Sequence, residues 1–175
     1  MSVAKLNWYA VYTKPRWEKK VHTLLLQKGI EAYCPLTRTK RKWSDRVKWV
    51  EEPLFKSYVF VKTSEEGQAD VRLVNGVVNF VYWLGKPAIV KDREITTIRK
   101  FLNEFTDVKA EPIDLRKDTR ITINKGVFMD KEAKVVKLLN NKVCVVIESL
   151  GYSLVAVVSK SDVSLTAKPR QTYEK

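Results

Sequence analysis

Between Asp107 and Asp118 the chain reads DVKAEPIDLRKD, a polar stretch interrupted by Pro112 and without periodicity. Such a segment offers neither a helical stripe nor a strand-like alternation, so it reads as a linker. It divides the 175 residues near position 112. The patterns on its two sides differ, which predicts two units: residues 1–106, a linker at 107–117, a second unit at 118–163 and a disordered tail at 164–175. This length suits one domain or two small ones, and an apolar fraction of 45% is enough for packed cores.

The first part alternates strand and helix signals. Trp8-Tyr9-Ala10-Val11-Tyr12 is an aromatic and β-branched run, hence a strand. Thr13 is placed to cap a following helix with Pro15 in its first turn. There Trp17, Val21, Leu24 and Leu25 recur at helical spacing until Gly29. Ile30 to Pro35 reads as a strand, residues 38–52 as a basic hairpin turning at Ser44-Asp45, and Tyr58-Val59-Phe60-Val61 as a strand. A short helix from Glu66 to Val74 ends at Asn75-Gly76, a strand runs from Val77 to Trp83, and Asp92 caps a last helix. In that helix Ile95, Ile98, Leu102 and Phe105 keep a 3.6-residue period. This order predicts a split β-α-β arrangement, with a mostly antiparallel sheet and helices packed on it.

The second part is rich in Val and Ile. Arg120 to Ile123, Ala133 to Leu139, Val143 to Glu148 and Leu154 to Ser159 are short runs separated by Asn and Gly turn signals. They predict a small β-barrel of about five strands. A helix through Lys131–Leu139 is the local competitor, and β-branched content favours strands. The fold class expected is therefore α+β, a split β-α-β antiparallel sheet domain followed by a small five-stranded barrel.

Thirty-three Lys and Arg against 20 Asp and Glu leave a net charge of +13, which points to a polyanionic partner, foremost nucleic acid. Residues 1–106 hold 20 basic and 11 acidic residues, net +9. No apolar run approaches the length of a membrane span, and the first residues lack the apolar region of a signal peptide, so a cytoplasmic protein with no membrane partner is expected. Cys34 and Cys144 have no Cys or His neighbours in the sequence, which argues against a disulfide framework or a zinc site.

Catalysis finds little support. The sole histidine, His22, lies on the first helix without evident partners, no glycine spacing matches a phosphate loop, and Glu51 and Glu52 point to opposite faces of a strand. No enzyme, cofactor or metal is expected. Binding features are plainer. Residues 38–48 carry Arg38, Lys40, Arg41, Lys42, Arg46 and Lys48 against Asp45, net +5, with Trp43 inside and Trp49 just after. Cations hold phosphate, and an indole can stack on an unpaired base, although such tryptophans can equally pack back on the sheet. Lys14, Arg16, Lys19 and Lys20 surround the start of the first helix, where N–H groups attract anions. Trp8, Tyr9, Tyr12, Phe55, Tyr58 and Phe60 form an aromatic set that is core by default and, where exposed, a protein-binding patch.

Trp8-Tyr9-Ala10-Val11-Tyr12-Thr13, Glu18-Lys19-Lys20-Val21 and Pro53-Leu54-Phe55-Lys56-Ser57-Tyr58-Val59-Phe60-Val61 resemble the N-terminal (NGN) domain of NusG-type transcription elongation factors. Asn75-Gly76-Val77-Val78-Asn79-Phe80-Val81 resembles that family's G-V-x-x-F-V segment, and Lys86-Pro87-Ala88-Ile89-Val90 the end of the domain. Lys117 to Ile121 and Lys125-Gly126-Val127-Phe128 resemble its C-terminal KOW barrel. The ordered set spans about residues 7–163. Arg41-Lys42-Trp43-Ser44-Asp45-Arg46 is similar to the specialised RfaH-like and UpxY-like antiterminators, the latter acting on capsular polysaccharide operons. Lys56-Ser57-Tyr58, where housekeeping members carry P-G-Y, points the same way.

The resemblance implies a transcription elongation and antitermination factor. It implies that Trp8, Tyr9, Tyr12, Phe55, Tyr58 and Phe60 dock on the clamp helices of RNA polymerase. Lys14, Arg16, Lys20, Arg38, Lys40, Arg41, Lys42, Trp43, Arg46 and Asn75 would face upstream or non-template DNA, or RNA. Through Phe128 the KOW barrel would contact ribosomal protein S10 or termination factor Rho, although two of the three loop glycines usual there are missing. The rival reading is a KOW-type RNA- or ribosome-binding protein without polymerase contact.

Overall fold

The computed structural model describes residues 3–112, 135–139, 142–147 and 152–157. In chain order the elements are β1 (Asn7–Thr13), α1 (Glu18–Gln27), β2 (Glu31–Tyr33), β3 (Leu36–Lys42), β4 (Val47–Pro53), β5 (Tyr58–Thr63), α2 (Gln68–Arg72) and β6 (Val77–Phe80). There follow β7 (Tyr82–Trp83), β8 (Lys86–Pro87), β9 (Ile89–Val90), α3 (Asp92–Glu104), β10 (Lys109–Pro112), β11 (Val135–Leu139), β12 (Lys142–Ile147) and β13 (Tyr152–Val157). The protein is α+β and its sheets are antiparallel.

The main sheet runs β2-β5-β1-β6, with β9 also paired to β1. β1 and β2, joined by α1, thus lie on either side of β5. The register pairs Ala10 with Phe60 and Tyr12 with Tyr58. Side chains alternate along strands, so Trp8, Ala10, Tyr12, Tyr58 and Phe60 share one face while Tyr9, Val11, Val59 and Val61 share the other. Each face has its own core. On one, Tyr9, Val11, Val59 and Val61 pack with Val21 and Leu25 of α1 and Val71 of α2. On the other, Trp8, Phe60 and Phe55 pack with Ile95, Ile98 and Phe101 of α3, and with Leu154 and Ala156 of β13.

The helix boundaries correct two expectations. α1 begins at Glu18, not at a Thr13 cap: Arg16 sits at φ 65° and breaks the helical path, and the Thr13 hydroxyl donates to the Lys14 carbonyl 3.0 Å away. α3 is entered from Lys91, whose N–H donates to the Glu94 carboxylate at 3.1 Å, so Asp92 is its first residue rather than its cap. Gly29, at φ 72°, ends α1 as expected.

The linker expectation also changes. Residues 109–112 are β10, the edge of a second sheet ordered β10-β13-β12-β11, with Lys109 opposite Val155 and Pro112 opposite Tyr152. Pro112 is tolerated there because it closes an edge strand. Val135–Leu139 is a strand, not the competing helix. The predicted strand at 120–123, the Gly126 loop, Phe128 and the tail at 164–175 lie outside the described residues.

Candidate docking and nucleic-acid surfaces

The aromatic set separates by strand parity. Tyr9 is only 2% exposed, meets Phe80 edge-on at 5.7 Å and belongs to the core beneath α1, so it cannot join a surface with Tyr58. Trp8, Tyr12, Phe55, Tyr58 and Phe60 do come together on the opposite side. Trp8, Phe55 and Phe60 are buried, however, which corrects the expectation of a free docking patch built on them. Part of the cover comes from the far end of the chain: the Tyr152 ring meets Phe55 at 5.6 Å and Tyr58 at 6.5 Å. Tyr12 stays exposed and Tyr58 half-buried, their rings 4.8 Å apart. Burial holds the Tyr58 hydroxyl above the ordinary tyrosine range, reinforced by hydrogen bonding with Tyr12 and Tyr152.

The start of β5 is held by an unusual clamp. Ser57 stands at φ 64°, a conformation that favours glycine. Its N–H donates to the buried Glu18 carboxylate at 2.7 Å, and its carbonyl accepts the Thr13 N–H at 2.8 Å. Those two bonds fix β5 against α1 and β1. Cys34, also buried, has its thiol pushed up to about 11 by burial and by the Glu18 carboxylate, with Lys19 opposing.

The cations expected to face nucleic acid, by contrast, are all exposed. Lys14 and Lys20 lie 5.3 Å and 4.1 Å from the Trp17 ring centroid. That ring lies so close to Gly76 that a Cβ there would fall 2.5 Å from Trp17 Cε3. The Lys14 N–H donates to the Gly76 carbonyl at 2.8 Å. Lys14, Arg16 and Lys20 are thereby gathered beside the turn that carries exposed Asn75.

The hairpin β3–β4 pairs residue for residue from Leu36↔Pro53 to Lys42↔Val47, and the Trp43 N–H donates to the Arg46 carbonyl across the Ser44-Asp45 turn. Its base is tied to the body. Lys19 Nζ donates to the Glu51 carbonyl at 2.7 Å, Val108 N–H to Thr37 Oγ1 at 3.0 Å, and Asp107 N–H to the Arg38 carbonyl at 2.8 Å. Lys19 thus links the α1 cluster to the hairpin. Arg41 is ion-paired with Glu52. Among the described residues, Arg38, Lys40, Lys42, Arg46 and Lys48 have no such partner. Trp43 lies at the tip with Arg46 over its ring. Trp49, named beside the basic hairpin but not among the residues expected to face nucleic acid, is 43% exposed and has Lys40 Nζ at 5.0 Å and Arg38 at 5.7 Å from its ring centroid. Strand parity was the signal that would have found it, since Trp49 faces Lys40 across the hairpin. Among the described residues no group of His, Cys, Asp and Glu could hold a metal ion, and no helix is long and apolar enough to cross a membrane.

A model of the family described as "Transcription termination factor nusG" matches residues 6–99. That match spans both faces of the main sheet and the hairpin. "Transcription termination/antitermination protein NusG" of Streptococcus pyogenes serotype M3 is 27% identical over 166 residues, covering 87% of this chain and 92% of the relative. The protein of the same name from Lactococcus lactis is 25% identical, covering 83% and 85%. A solved structure described as "Domain interaction in Thermotoga maritima NusG" aligns over 88% of this chain and 93% of that one, at 26% identity and a TM-score of 0.45. The chain belongs to the NusG family of transcription termination and antitermination factors.

Proposed function

We propose that this protein binds elongating RNA polymerase through the sheet face bearing Tyr12 and Tyr58, contacts nearby nucleic acid through its exposed cations, and suppresses pausing and termination. The observation that carries this reading is the gathering of five aromatics on one sheet face. That face is closed partly by Tyr152 from the far end of the chain rather than by a local helix alone. In this structure β13 occupies the face, so docking there displaces β13 or uses the exposed rim at Tyr12. Bound to the polymerase clamp helices, the domain favours the closed, active enzyme over the paused one, a shift of population without chemistry. Lys14, Arg16, Lys20 and Asn75, with the hairpin, face upstream or non-template DNA. The second sheet acts as a KOW barrel that recruits a further partner, ribosomal protein S10 or Rho, the two contacts reinforcing each other through effective concentration. The hairpin sequence and Ser57 in place of glycine support a specialised antiterminator of the RfaH-like or UpxY-like kind, acting on surface-polysaccharide operons.

The test is run-through of pauses and terminators in vitro with purified polymerase, with and without the cognate leader. Tyr12→Ala with Tyr58→Ala is expected to abolish the effect, and a melting curve showing that the double variant is still folded at the assay temperature separates lost docking from lost fold. Phe60 is unsuitable for this purpose because it is 1% exposed and its loss would collapse the core. Undiminished run-through by the double variant overturns the docking surface. Leader-independent activity overturns the specialised role.

A further inference from the structure

The register of the hairpin divides it into two unlike faces. One carries Thr37, Thr39, Arg41, Lys48, Val50 and Glu52. Thr37 is buried, Thr39, Val50 and Glu52 are half-buried, and Arg41 is neutralised by Glu52, so this face leans on the body of the protein. Beyond the half-buried Leu36–Pro53 pair at its root, the other carries Arg38, Lys40, Lys42, Val47, Trp49 and Glu51, and these six are exposed. Three cations therefore stand in line along one strand, about 6.6 Å apart, beside an indole that is 43% exposed.

We propose that this exposed face is a platform for single-stranded nucleic acid, with an unpaired base stacked on Trp49 and successive phosphates held by Arg38, Lys40 and Lys42. The proposal rests on the reading that the hairpin contacts nucleic acid, and it assigns that contact to one face and one strand state. A large aromatic left in water on a cationic strand gains when a base covers it, and every base offers a flat face to it. Lys40 and Arg38, already beside the ring, bring positive charge to where the phosphates of a stacked nucleotide lie. The bases of a duplex are stacked on one another and leave no free face for an indole. Glu51, at the base of the hairpin, ends the cationic row on this face.

The test measures the affinity of the full chain, by fluorescence anisotropy at low salt, for a labelled oligo-dT of about ten nucleotides, an oligo-U of equal length and a DNA duplex. Trp49→Ala is expected to weaken single-strand binding about ten-fold or more, Trp49→Phe to keep most of it, and neither to change duplex binding. Lys40→Ala with Lys42→Ala is expected to flatten the salt dependence on both strand types. Loss on oligo-dT points to displaced DNA and loss on oligo-U to transcript, and either supports the platform. Unchanged single-strand affinity in Trp49→Ala, or an equal loss on duplex, overturns it while leaving a nucleic-acid role for the hairpin. If the unaltered chain binds none of the three, the nucleic-acid reading falls with it. A melting curve for each variant separates loss of binding from loss of fold, and Trp49→Phe keeps the test decisive should Trp49→Ala unfold.

Discussion

The two faces of the main sheet are finished by different means. One is closed by α1 and α2, helices that follow the strands they cover, and its core joins Tyr9, Val11, Val21, Leu25, Val59, Val61 and Val71. The other is closed by α3 and by Leu154 and Ala156 of a strand that belongs to another sheet. The first face can form from its own stretch of chain. The second stays partly uncovered until a distant segment arrives, and its aromatic composition suits exchange of one apolar cover for another. A sheet can thus keep a permanent side and a negotiable side within one antiparallel frame.

The largest expected effect is on the permanent side. Leu25→Ala removes a fully buried side chain from between α1 and the sheet and should cost about 2–5 kcal/mol by denaturant titration. A loss below about 1 kcal/mol would mean that this side is as loosely closed as the other. Next comes Gly76→Ala. Its Cβ would meet Trp17 at 2.5 Å and Val21 at 2.8 Å at a φ of 95°, so a cost of about 2–4 kcal/mol is expected, with Lys14 and Asn75 displaced. Tyr152→Ala should cost less, about 1–2 kcal/mol, because one edge of the negotiable cover is removed and the sheet beneath remains.

That variant also has a pH signature. In the intact protein the Tyr58 hydroxyl is held above its ordinary value of 10.0. The associated stabilisation is complete below the unfolded-state value and is lost as pH rises through the folded one. Opening the cover lowers the folded value, so spectrophotometric titration of Tyr152→Ala should show Tyr58 ionising earlier and a shallower alkaline loss of stability. An unmoved titration would show that Tyr152 does not shield Tyr58. The smallest effect is favourable: Ser57→Gly relieves the left-handed backbone and should stabilise the fold by about 0.5–1 kcal/mol, read as a higher melting temperature.

Much of this was legible in the sequence, for local reasons. The β-branched and aromatic runs at 8–12 and 58–61 specify strands, and the basic hairpin announces itself by charge and its Ser-Asp turn. Parity within the first run also puts Tyr9 on the face opposite Trp8 and Tyr12, whereas the placement of Tyr58 with Tyr12 needs the strand register. What was not legible is non-local. Nothing near Pro112 says that residues 109–112 find a partner in Tyr152 to Val155, and a polar stretch with a proline reads as a linker until that partner is known. Likewise the burial of Phe55 depends on a ring from the far end of the chain. Ser57 departs from the P-G-Y pattern in sequence, but only the φ angle and the Glu18 and Thr13 bonds show why glycine is the easier residue there and how serine is tolerated.

The short step from α3 to β10 has a mechanical meaning. Only residues 105–108 separate the helix from the strand, and the amides of Asp107 and Val108 are already spent on Arg38 and Thr37. There is almost no slack at this joint. For the second sheet to swing off the first, either those two amides let go, which frees the root of the hairpin, or β10 stays behind and unzips from β13. Amide hydrogen exchange separates the routes, the first exposing Val108 in step with release and the second the Ala110–Leu154 rung. On the first route, lifting the strap from the aromatic face also loosens the root of the cationic hairpin.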